Sequence, residues 1–333
     1  MNVLSVRLTI FSWKLNAPLP STQSLAKKLF SLLLTLFLLS GCAVKEKWHT
    51  STLLVFDTLC EIKIFCSPPA FKAAQEDVDR IFSQIESHFS PDAEDHSSSM
   101  VIDLYRRALQ VFTDSGGCFD ITVAPLSQAW GFLSKSYVVP AHEQIQSILE
   151  RIGMEKIKEE NGTLLLLPGM KLDWGGIAKG FAIDLASQSL IERGISRGFI
   201  NAGGDLYCWG ENPDNQDWNI GIKHPRQNGF LGIISISELG AATTGDYQRY
   251  FIKDGVRYHH VFDPRTGYPA GGKQSVTVYG PETLFCDALS TALFVSQQPE
   301  KIIEKYPDYG AIIVDSEGNL SFLGKAFPFR AAD

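Results

Sequence analysis

Apolar residues recur at helical spacing in several stretches of the chain. Between Phe71 and Phe89 they fall every three or four residues, and this spacing predicts an amphipathic helix that stops near Pro91. The same pattern predicts further helices over Val101–Thr113, Glu143–Ile152, Leu284–Ser296 and Glu300–Tyr306.

Other stretches are rich in β-branched and aromatic residues and predict strands. Asn161-Gly162 and Asp254-Gly255 each separate two such stretches, and these dipeptides favour the tight turns of β-hairpins. Further strands are predicted within Leu53–Cys66, Gly198–Trp209, Trp218–Lys223 and Leu231–Ile236, with a last hairpin at Ala311–Leu323. Since helices mix with hairpins rather than alternating regularly with strands, we expect one compact α+β domain with mixed or antiparallel sheets over residues 53–333.

The first 41 residues differ from the rest of the chain. They contain basic residues but no acidic ones, and they end in eleven nearly uniformly apolar residues, Leu29–Leu39. That run is too short to span a bilayer and is typical of a signal peptide. The following LLSGC resembles the lipobox of bacterial lipoproteins, in which the cysteine is lipidated and becomes the new N-terminus.

The lipobox predicts where the protein works. We expect residues 1–41 to be a lipoprotein signal peptide, Cys42 to carry lipid, and residues 42–52 to form a tether. Two or three acyl chains would hold the protein stably on a membrane. The expected location is therefore extracytoplasmic, with a lipid anchor in a bacterial membrane. An ordinary cleaved signal or a buried apolar helix is the alternative interpretation.

Charge and cysteine content exclude some classes of partner. The chain has 30 basic and 37 acidic residues, and removal of the first 41 residues takes away four basic ones, which leaves 26. No basic stripe remains, so we expect no nucleic acid partner. Five cysteines follow Cys42 without a CxxC pair, which indicates neither a disulfide framework nor a zinc site. We expect mostly buried thiols.

The stretch KLDWGGIAKGFAID, residues 171–184, places glycines directly ahead of a helical pattern. Gly175 and Gly176 let a ligand approach the backbone closely and permit positive φ. A helix that begins just after them would present free N–H groups to an anion, and Lys179 would add a charge in its first turn. The residues alone leave two interpretations open: phosphate binding, or a tight strand-to-helix turn with a solvated lysine.

The stretch DALSTALF places a carboxylate and a hydroxyl on one face of an apolar helix. Asp287 and Thr291 are four residues apart, which is about one helical turn. Such oxygen ligands suit a hard cation such as Mg²⁺. A capping or exposed Asp287, together with a Thr291 hydroxyl bonded back to its own helix, is the alternative.

The stretch YHHVFDPRTGYP gathers polar residues around a turn. Alternation along a strand would send His259 and His260 to opposite faces, so we expect only one of them in a site. Asp263 and Arg265 could form an ion pair that holds the turn.

Six ordered motifs together resemble the ApbE family of FAD:protein FMN transferases. They are FDITVAPL, LDWGGIAKGFAID, NAGGDL, TTGDYQRYF, HHVFDPRTGYP and DALSTALF. The resemblance runs from about Val55 to Phe294 and depends on the order and spacing of the motifs, since each is weak by itself. The predicted lipobox agrees with it, because many members resemble lipoproteins.

The resemblance implies an activity and its site residues. FMN would pass from FAD to a threonine or serine of an acceptor flavoprotein through a phosphoester bond, with Mg²⁺ required and AMP released. The acceptor is expected to carry an Asp-x-x-Ser/Thr-Gly-Ala-Thr/Ser segment, which this chain lacks. The Gly176 carbonyl, Asp287 and Thr291 would bind Mg²⁺, and His260 would be catalytic. The residues expected at the FAD site are Phe56, Phe89, Cys118, Phe119, Asp120, Asp173, Lys179 and Phe262.

Several positions depart from the family pattern. Phe56-Asp57-Thr58 stands where the family usually has Met-Gly-Thr, and Phe89 stands where a tyrosine usually stacks on the isoalloxazine. Two other functions stay open: an FAD pyrophosphatase that uses water as the nucleophile, and a surface lipoprotein that binds FAD without turnover. The retained metal-binding and catalytic positions argue against the second, because binding alone needs no metal at the phosphates.

Overall fold

The computed structural model describes residues 45–90, 93 and 95–332. The predicted signal peptide and Cys42 lie outside these residues. Within the described part, no helix combines the length and the apolar character that a membrane crossing requires.

An eight-stranded antiparallel sheet forms the centre of the fold. In chain order its strands are β1 (Lys47–Val55), β2 (Thr58–Cys66), β5 (Gly198–Ala202), β6 (Asp205–Trp209), β9 (Leu239–Gly245), β12 (Lys273–Gly280), β13 (Gly310–Asp315) and β14 (Leu320–Gly324). They lie side by side in this same order. A three-stranded sheet consists of β7 (Trp218–Lys223), β8 (Phe230–Ile236) and β15 (Phe329–Ala331), and two hairpins consist of β3 (Lys158–Glu160) with β4 (Thr163–Leu165) and β10 (Tyr250–Lys253) with β11 (Val256–His259).

Helices cover one face of the large sheet. The helices of the described part are α1 (Pro68–Phe89), α2 (Ser99–Asp114), α3 (Ala124–Ala129), α4 (His142–Leu149), α5 (Ala178–Glu192), α6 (Thr283–Val295) and α7 (Pro299–Ile303). The main apolar core lies between the large sheet and α1, α2, α5 and α6. A second core lies between the opposite face and the three-stranded sheet. The α+β prediction is therefore confirmed, with antiparallel sheets.

The predicted tether is wrong from Lys47 onward. β1 pairs along its whole length with β2, from Lys47 opposite Cys66 to Val55 opposite Thr58. Trp48 packs against the rings of Phe65 and Trp218, at centroid distances of 5.5 and 5.8 Å. The polar residues of this segment, which are exposed or half-buried, gave it the composition of a linker, although it is an edge strand.

Most local predictions are confirmed with small shifts at the ends of elements. Both predicted Gly-containing hairpin turns form, and their Asn or Asp and Gly residues have positive φ. The stretch Gly198–Trp209 is two strands, because the chain reverses at Gly203-Gly204. The strands β9, β12 and β15 and the short helix α3 were not predicted. The five cysteines after Cys42 are buried and free, as expected.

Candidate functional site

Two helices of the central layer meet at a glycine. A Cβ at Gly180 would lie 2.5 Å from the Thr283 carbonyl oxygen and 2.7 Å from Leu284 Cα, so any larger residue would push α5 and α6 apart. One turn further along α5, Asp184 accepts hydrogen bonds from the backbone N–H groups of Thr283 and Leu284, both at 2.8 Å. The N-cap residue Glu282 supplies no side-chain cap. A carboxylate of α5 therefore fixes where α6 begins.

This helix contact places Lys179 among oxygen atoms. Its Nζ lies 2.6 Å from Asp205 Oδ2, 3.4 Å from Asp287 Oδ2 and 3.3 Å from the Gly175 carbonyl oxygen. The Gly180 N–H also donates to Asp287 Oδ2, at 3.3 Å. Asp205 and Asp287 are only 5% and 4% exposed. The alternative of a solvated lysine in a plain turn is therefore wrong.

The charges of this cluster stabilise one another. Burial alone would lower the pKa of Lys179, but the carboxylates of Asp205 and Asp287 outweigh burial and raise the pKa. Burial raises the pKa of Asp287, and the Lys179 ammonium opposes that shift. A buried charge needs such partners, because water no longer solvates it.

The loop before α5 brings Gly176 against Thr291. A Cβ at Gly176 would lie 3.3 Å from both Thr291 Oγ1 and Phe119 Cε2. Neither Gly175 nor Gly176 uses the positive φ that glycine permits, and close packing is what favours glycine at position 176. The Thr291 hydroxyl contacts the Thr244 hydroxyl at 3.1 Å. The structure thus brings together Gly176, Thr291 and Phe119 from three separate motifs.

The alternative interpretation of the α6 residues fails as well. Asp287 lies one turn inside α6, is buried, and therefore neither caps the helix nor lies exposed. The bond back to the helix is made by Ser290, whose hydroxyl donates to the Asp287 carbonyl at 2.8 Å. Asp287 and Thr291 consequently present a carboxylate and a hydroxyl along one face of α6.

Two further predicted residues hold the loops around this cluster. Asp173 accepts hydrogen bonds from the Gly175 N–H at 2.9 Å and from the Ser127 hydroxyl at 3.0 Å. Asp120 accepts from both the N–H and the hydroxyl of Thr122, at 2.7 and 2.6 Å. Burial raises the pKa of Asp120 to about 6. Each carboxylate thus fixes the backbone of its own loop.

The predicted aromatic residues lie in different surroundings. Phe89 is buried at the end of α1, with its ring 5.0 Å from Trp174 and 6.2 Å from Phe181. Phe56 is half-buried at the tip of the β1–β2 hairpin, and its N–H donates to Glu86 at 3.2 Å. Phe89 therefore packs directly against the residue that follows Asp173 in the loop.

Two other predicted FAD contacts are almost wholly covered by protein. The Cys118 thiol is buried, which raises its pKa. The Phe262 ring packs against Trp130 and Phe132 in a separate aromatic cluster. Since these residues are only 3% and 5% exposed, each offers very little surface to a ligand.

The two adjacent histidines differ in their hydrogen bonds. A carbonyl only accepts, so His259 Nε2–H donates to the Ala270 carbonyl at 2.8 Å, and its Nδ1 accepts from the Val261 N–H at 3.3 Å. His260 Nδ1–H donates to the Arg249 carbonyl at 3.2 Å. Its Nε2 has no hydrogen bond within the described part of the chain. In the neutral ring, the hydrogen bond to the Arg249 carbonyl places the proton on Nδ1 and leaves the Nε2 lone pair available.

Burial and nearby positive charges explain the neutral state of His260. Burial lowers its pKa to about 3, and the charges of Arg249 and Lys179 act in the same direction. In the neighbouring turn, Asp263 and Arg265 form the expected ion pair at 2.7 Å.

Sequence reasoning missed several residues that position the site. Asp205 and Asp184 were not identified, although both lie in quoted motifs, because an aspartate at a strand start or within a helix gives no local signal. The Ser127 and Thr244 hydroxyls were also missed, because they too give no local signal in the sequence.

The donor set fits a hard cation that also binds substrate oxygens. Among the described residues, no three His, Cys, Asp or Glu side chains are placed to hold a metal. The cluster instead offers one carboxylate and one hydroxyl on α6, next to the Gly176 backbone, and already holds a cationic ammonium group. Mg²⁺ characteristically takes one or two carboxylates and completes its shell with water and phosphate oxygens.

This fold is that of a known class of protein. The sequence model of the ApbE family matches residues 56–313, and the chain belongs to that family. It is 29% identical over 312 residues to the FAD:protein FMN transferase of Treponema pallidum, with 82% of this chain and 86% of that protein covered. It is 31% identical over 287 residues to that of Vibrio cholerae, with 79% and 86% covered.

A solved structure supports the same assignment. The ApbE protein of Thermotoga maritima superposes with a TM-score of 0.78 at 30% identity. The match covers 83% of this chain and 97% of that protein. The family resemblance inferred from six motifs is therefore confirmed.

Proposed function

We propose that this enzyme transfers the FMN portion of FAD to a threonine or serine hydroxyl of an acceptor flavoprotein, with Mg²⁺ required. The hydroxyl oxygen attacks the FMN phosphorus, the bond between the two phosphates breaks, AMP leaves, and a phosphoester forms. The observation that carries this proposal is the convergence of Gly176, Asp287, Thr291 and Lys179 at the start of α5. The names of the curated relatives support it.

The cluster supports binding of a pyrophosphate with its cation. The Gly176 carbonyl, the Asp287 carboxylate and the Thr291 hydroxyl would hold Mg²⁺. When bound, the cation neutralises charge on the pyrophosphate and on the AMP leaving group. The N–H groups of Ile177 and Ala178 donate to the Trp174 carbonyl and that of Gly180 donates to Asp287, so the expectation of several free N–H groups at the start of α5 is wrong. The Lys179 ammonium would therefore be the main group that holds phosphate oxygens. Such positioning and charge stabilisation provide most of the catalysis in phosphoryl transfer.

The flavin side of FAD would lie along the loops next to this cluster. Phe119 contacts Gly176, and Asp173 fixes the N–H of Gly175, so both lie beside the proposed phosphate position. The remaining predicted FAD contacts are Phe56, Phe89, Cys118, Asp120, Lys179 and Phe262.

His260 is the proposed proton acceptor. Its Nε2 lone pair is available, whereas both ring nitrogens of His259 are engaged by the backbone. A pKa of about 3 makes His260 a weak base in the free enzyme. The negative charges of a bound pyrophosphate would raise that pKa, because an anion stabilises the imidazolium.

The role of His260 is tested by kinetics on His260→Ala. We expect a loss of roughly 100-fold or more in the transfer rate, within the range that general base catalysis contributes. His142→Ala, which removes an exposed histidine of α4, is the matched control and should transfer normally. A His260→Ala enzyme with the full transfer rate would exclude this role.

The transfer itself is tested with the soluble chain from residue 43, FAD, Mg²⁺ and a protein that bears the Asp-x-x-Ser/Thr-Gly-Ala-Thr/Ser segment. Intact mass of the acceptor and AMP in solution are measured together. Acceptor that gains one FMN establishes the transferase. Free FMN with AMP would instead identify a pyrophosphatase, and bound but unchanged FAD would identify a carrier.

We also propose that the protein is anchored by lipid at Cys42 on the outer side of a bacterial membrane. The basic segment, the apolar run and LLSGC support this location. Metabolic labelling with an alkyne fatty acid should modify the full chain and spare Cys42→Ala. Equal labelling of both chains would contradict the anchor.

A further inference from the structure

Asp205 is a buried carboxylate to which the proposed chemistry assigns no role. It is 5% exposed, and its Oδ2 makes no aligned hydrogen bond to any described residue. The Lys179 ammonium, 2.6 Å away, is what compensates its buried charge. An unpaired carboxylate at this depth would be costly, so the two residues form one electrostatic unit.

The sheet holds Asp205 rigidly. It is the first residue of β6, directly after a glycine turn that is fixed by two hydrogen bonds. The Gly204 N–H donates to Asn201 Oδ1 at 2.9 Å, and the Gly203 N–H donates to the Leu59 carbonyl at 3.1 Å. Lys179, by contrast, reaches the cluster with a long side chain from the first turn of α5. The position of the ammonium is therefore set by Asp205.

The same ammonium lies next to the carboxylate that would bind the cation. Lys179 Nζ is 3.4 Å from Asp287 Oδ2, farther than it is from Asp205. An ammonium and Mg²⁺ compete for one carboxylate, since both are attracted by its charge and they repel each other. Without Asp205, nothing among the described side chains would draw Lys179 away from Asp287.

We propose that Asp205 is a positioning residue that neutralises Lys179 and holds it off Asp287, so that Asp287 stays available to Mg²⁺. This inference rests on the proposed function. Its test uses metal binding by the FAD-free protein, which needs neither substrate nor acceptor. A failure of the transfer assay would therefore leave this test intact.

The test is Mn²⁺ titration of the FAD-free protein, with free Mn²⁺ counted by electron paramagnetic resonance. Asp205→Asn should weaken binding at least about tenfold, because an uncompensated ammonium in a buried site acts strongly on a nearby cation. The double variant Asp205→Asn/Lys179→Met restores a neutral pair. It should bind Mn²⁺ within about threefold of the unsubstituted protein, since no uncompensated charge remains.

Three results would overturn the inference. Unchanged affinity in Asp205→Asn would show that Asp205 does not restrain Lys179. A double variant as weak as Asp205→Asn would show that Asp205 is itself a cation ligand. Lys179→Met alone should bind Mn²⁺ more tightly, and equal or weaker binding would also refute the competition. Near-UV circular dichroism shows whether Asp205→Asn folds. If it does not fold, the Lys179→Met variant still decides the question.

Discussion

The contact between α5 and α6 predicts that Gly180→Ala disturbs both stability and metal binding. The new Cβ would lie 2.5 Å from the Thr283 carbonyl oxygen and 2.7 Å from Leu284 Cα. Both are backbone atoms, so no side-chain rotation relieves the overlap. The helices must separate by several tenths of an ångström, and Asp287 and Thr291 then move away from Gly176.

The expected magnitude follows from two opposing effects. Overpacking in a tightly packed interior costs about 1–3 kcal/mol, whereas alanine is better than glycine inside a helix by about 1 kcal/mol. We therefore expect a net loss of about 0–2 kcal/mol. In a domain of this size that loss lowers the Tm by no more than roughly 6 °C.

The assay is calorimetric unfolding together with Mn²⁺ titration. Gly271→Ala is the matched control, because a Cβ there meets nothing within 4 Å and its φ is not positive. The Gly271→Ala control should leave both the Tm and the Mn²⁺ affinity unchanged. A Gly180→Ala protein with an equal or higher Tm and unchanged Mn²⁺ affinity would refute the idea that this helix contact sets the site.

Three further predictions follow from buried charges. Burial raises the pKa of Asp184 to about 7, and an unfolded aspartate titrates near pH 4. Between about pH 4 and pH 7 the unfolded chain therefore loses this proton while the folded protein keeps it, and the free energy of unfolding falls. Urea unfolding should show this fall for the unsubstituted protein and a smaller one for Asp184→Asn. His260 should stay neutral from pH 8 to pH 5 in ¹³C NMR of histidine-labelled protein, and a midpoint near 6.5 would contradict its lowered pKa. Asp246→Asn removes an Arg226 pair with contacts of 2.7 and 2.6 Å and should cost about 2 kcal/mol in urea unfolding, whereas an unchanged midpoint would contradict this.

Local patterns predicted the helices and hairpins because their signals repeat over short distances. The stripe of α1 and the Asn161-Gly162 turn are examples. β12 was missed because nearly all of its residues are buried, so the polar–apolar alternation of a half-exposed strand is absent. The first part of β1 was mistaken for a linker for the opposite reason, since its exposed residues Lys47, Thr50 and Thr52 are all polar.

The sequence predicted only those site residues that lie in recognisable motifs. Asp287 and Thr291 were identified from their spacing on one helix face, the Gly176 carbonyl was implied by the family resemblance, and the structure places the three together. The bond from Thr283 to Asp184 joins residues 99 positions apart, and the Asp205–Lys179 pair joins a strand to a helix. Such contacts depend on tertiary packing, which no periodicity in the chain encodes.

The account is tested most directly by mapping the flavin on the acceptor and counting AMP in the same reaction. Peptide mass spectrometry should locate FMN on one threonine or serine, with one AMP released for each FMN bound. The Asp287→Ala enzyme should yield neither product. AMP released without bound FMN, or flavin attached by Asp287→Ala at the parent rate, would contradict the proposed transfer.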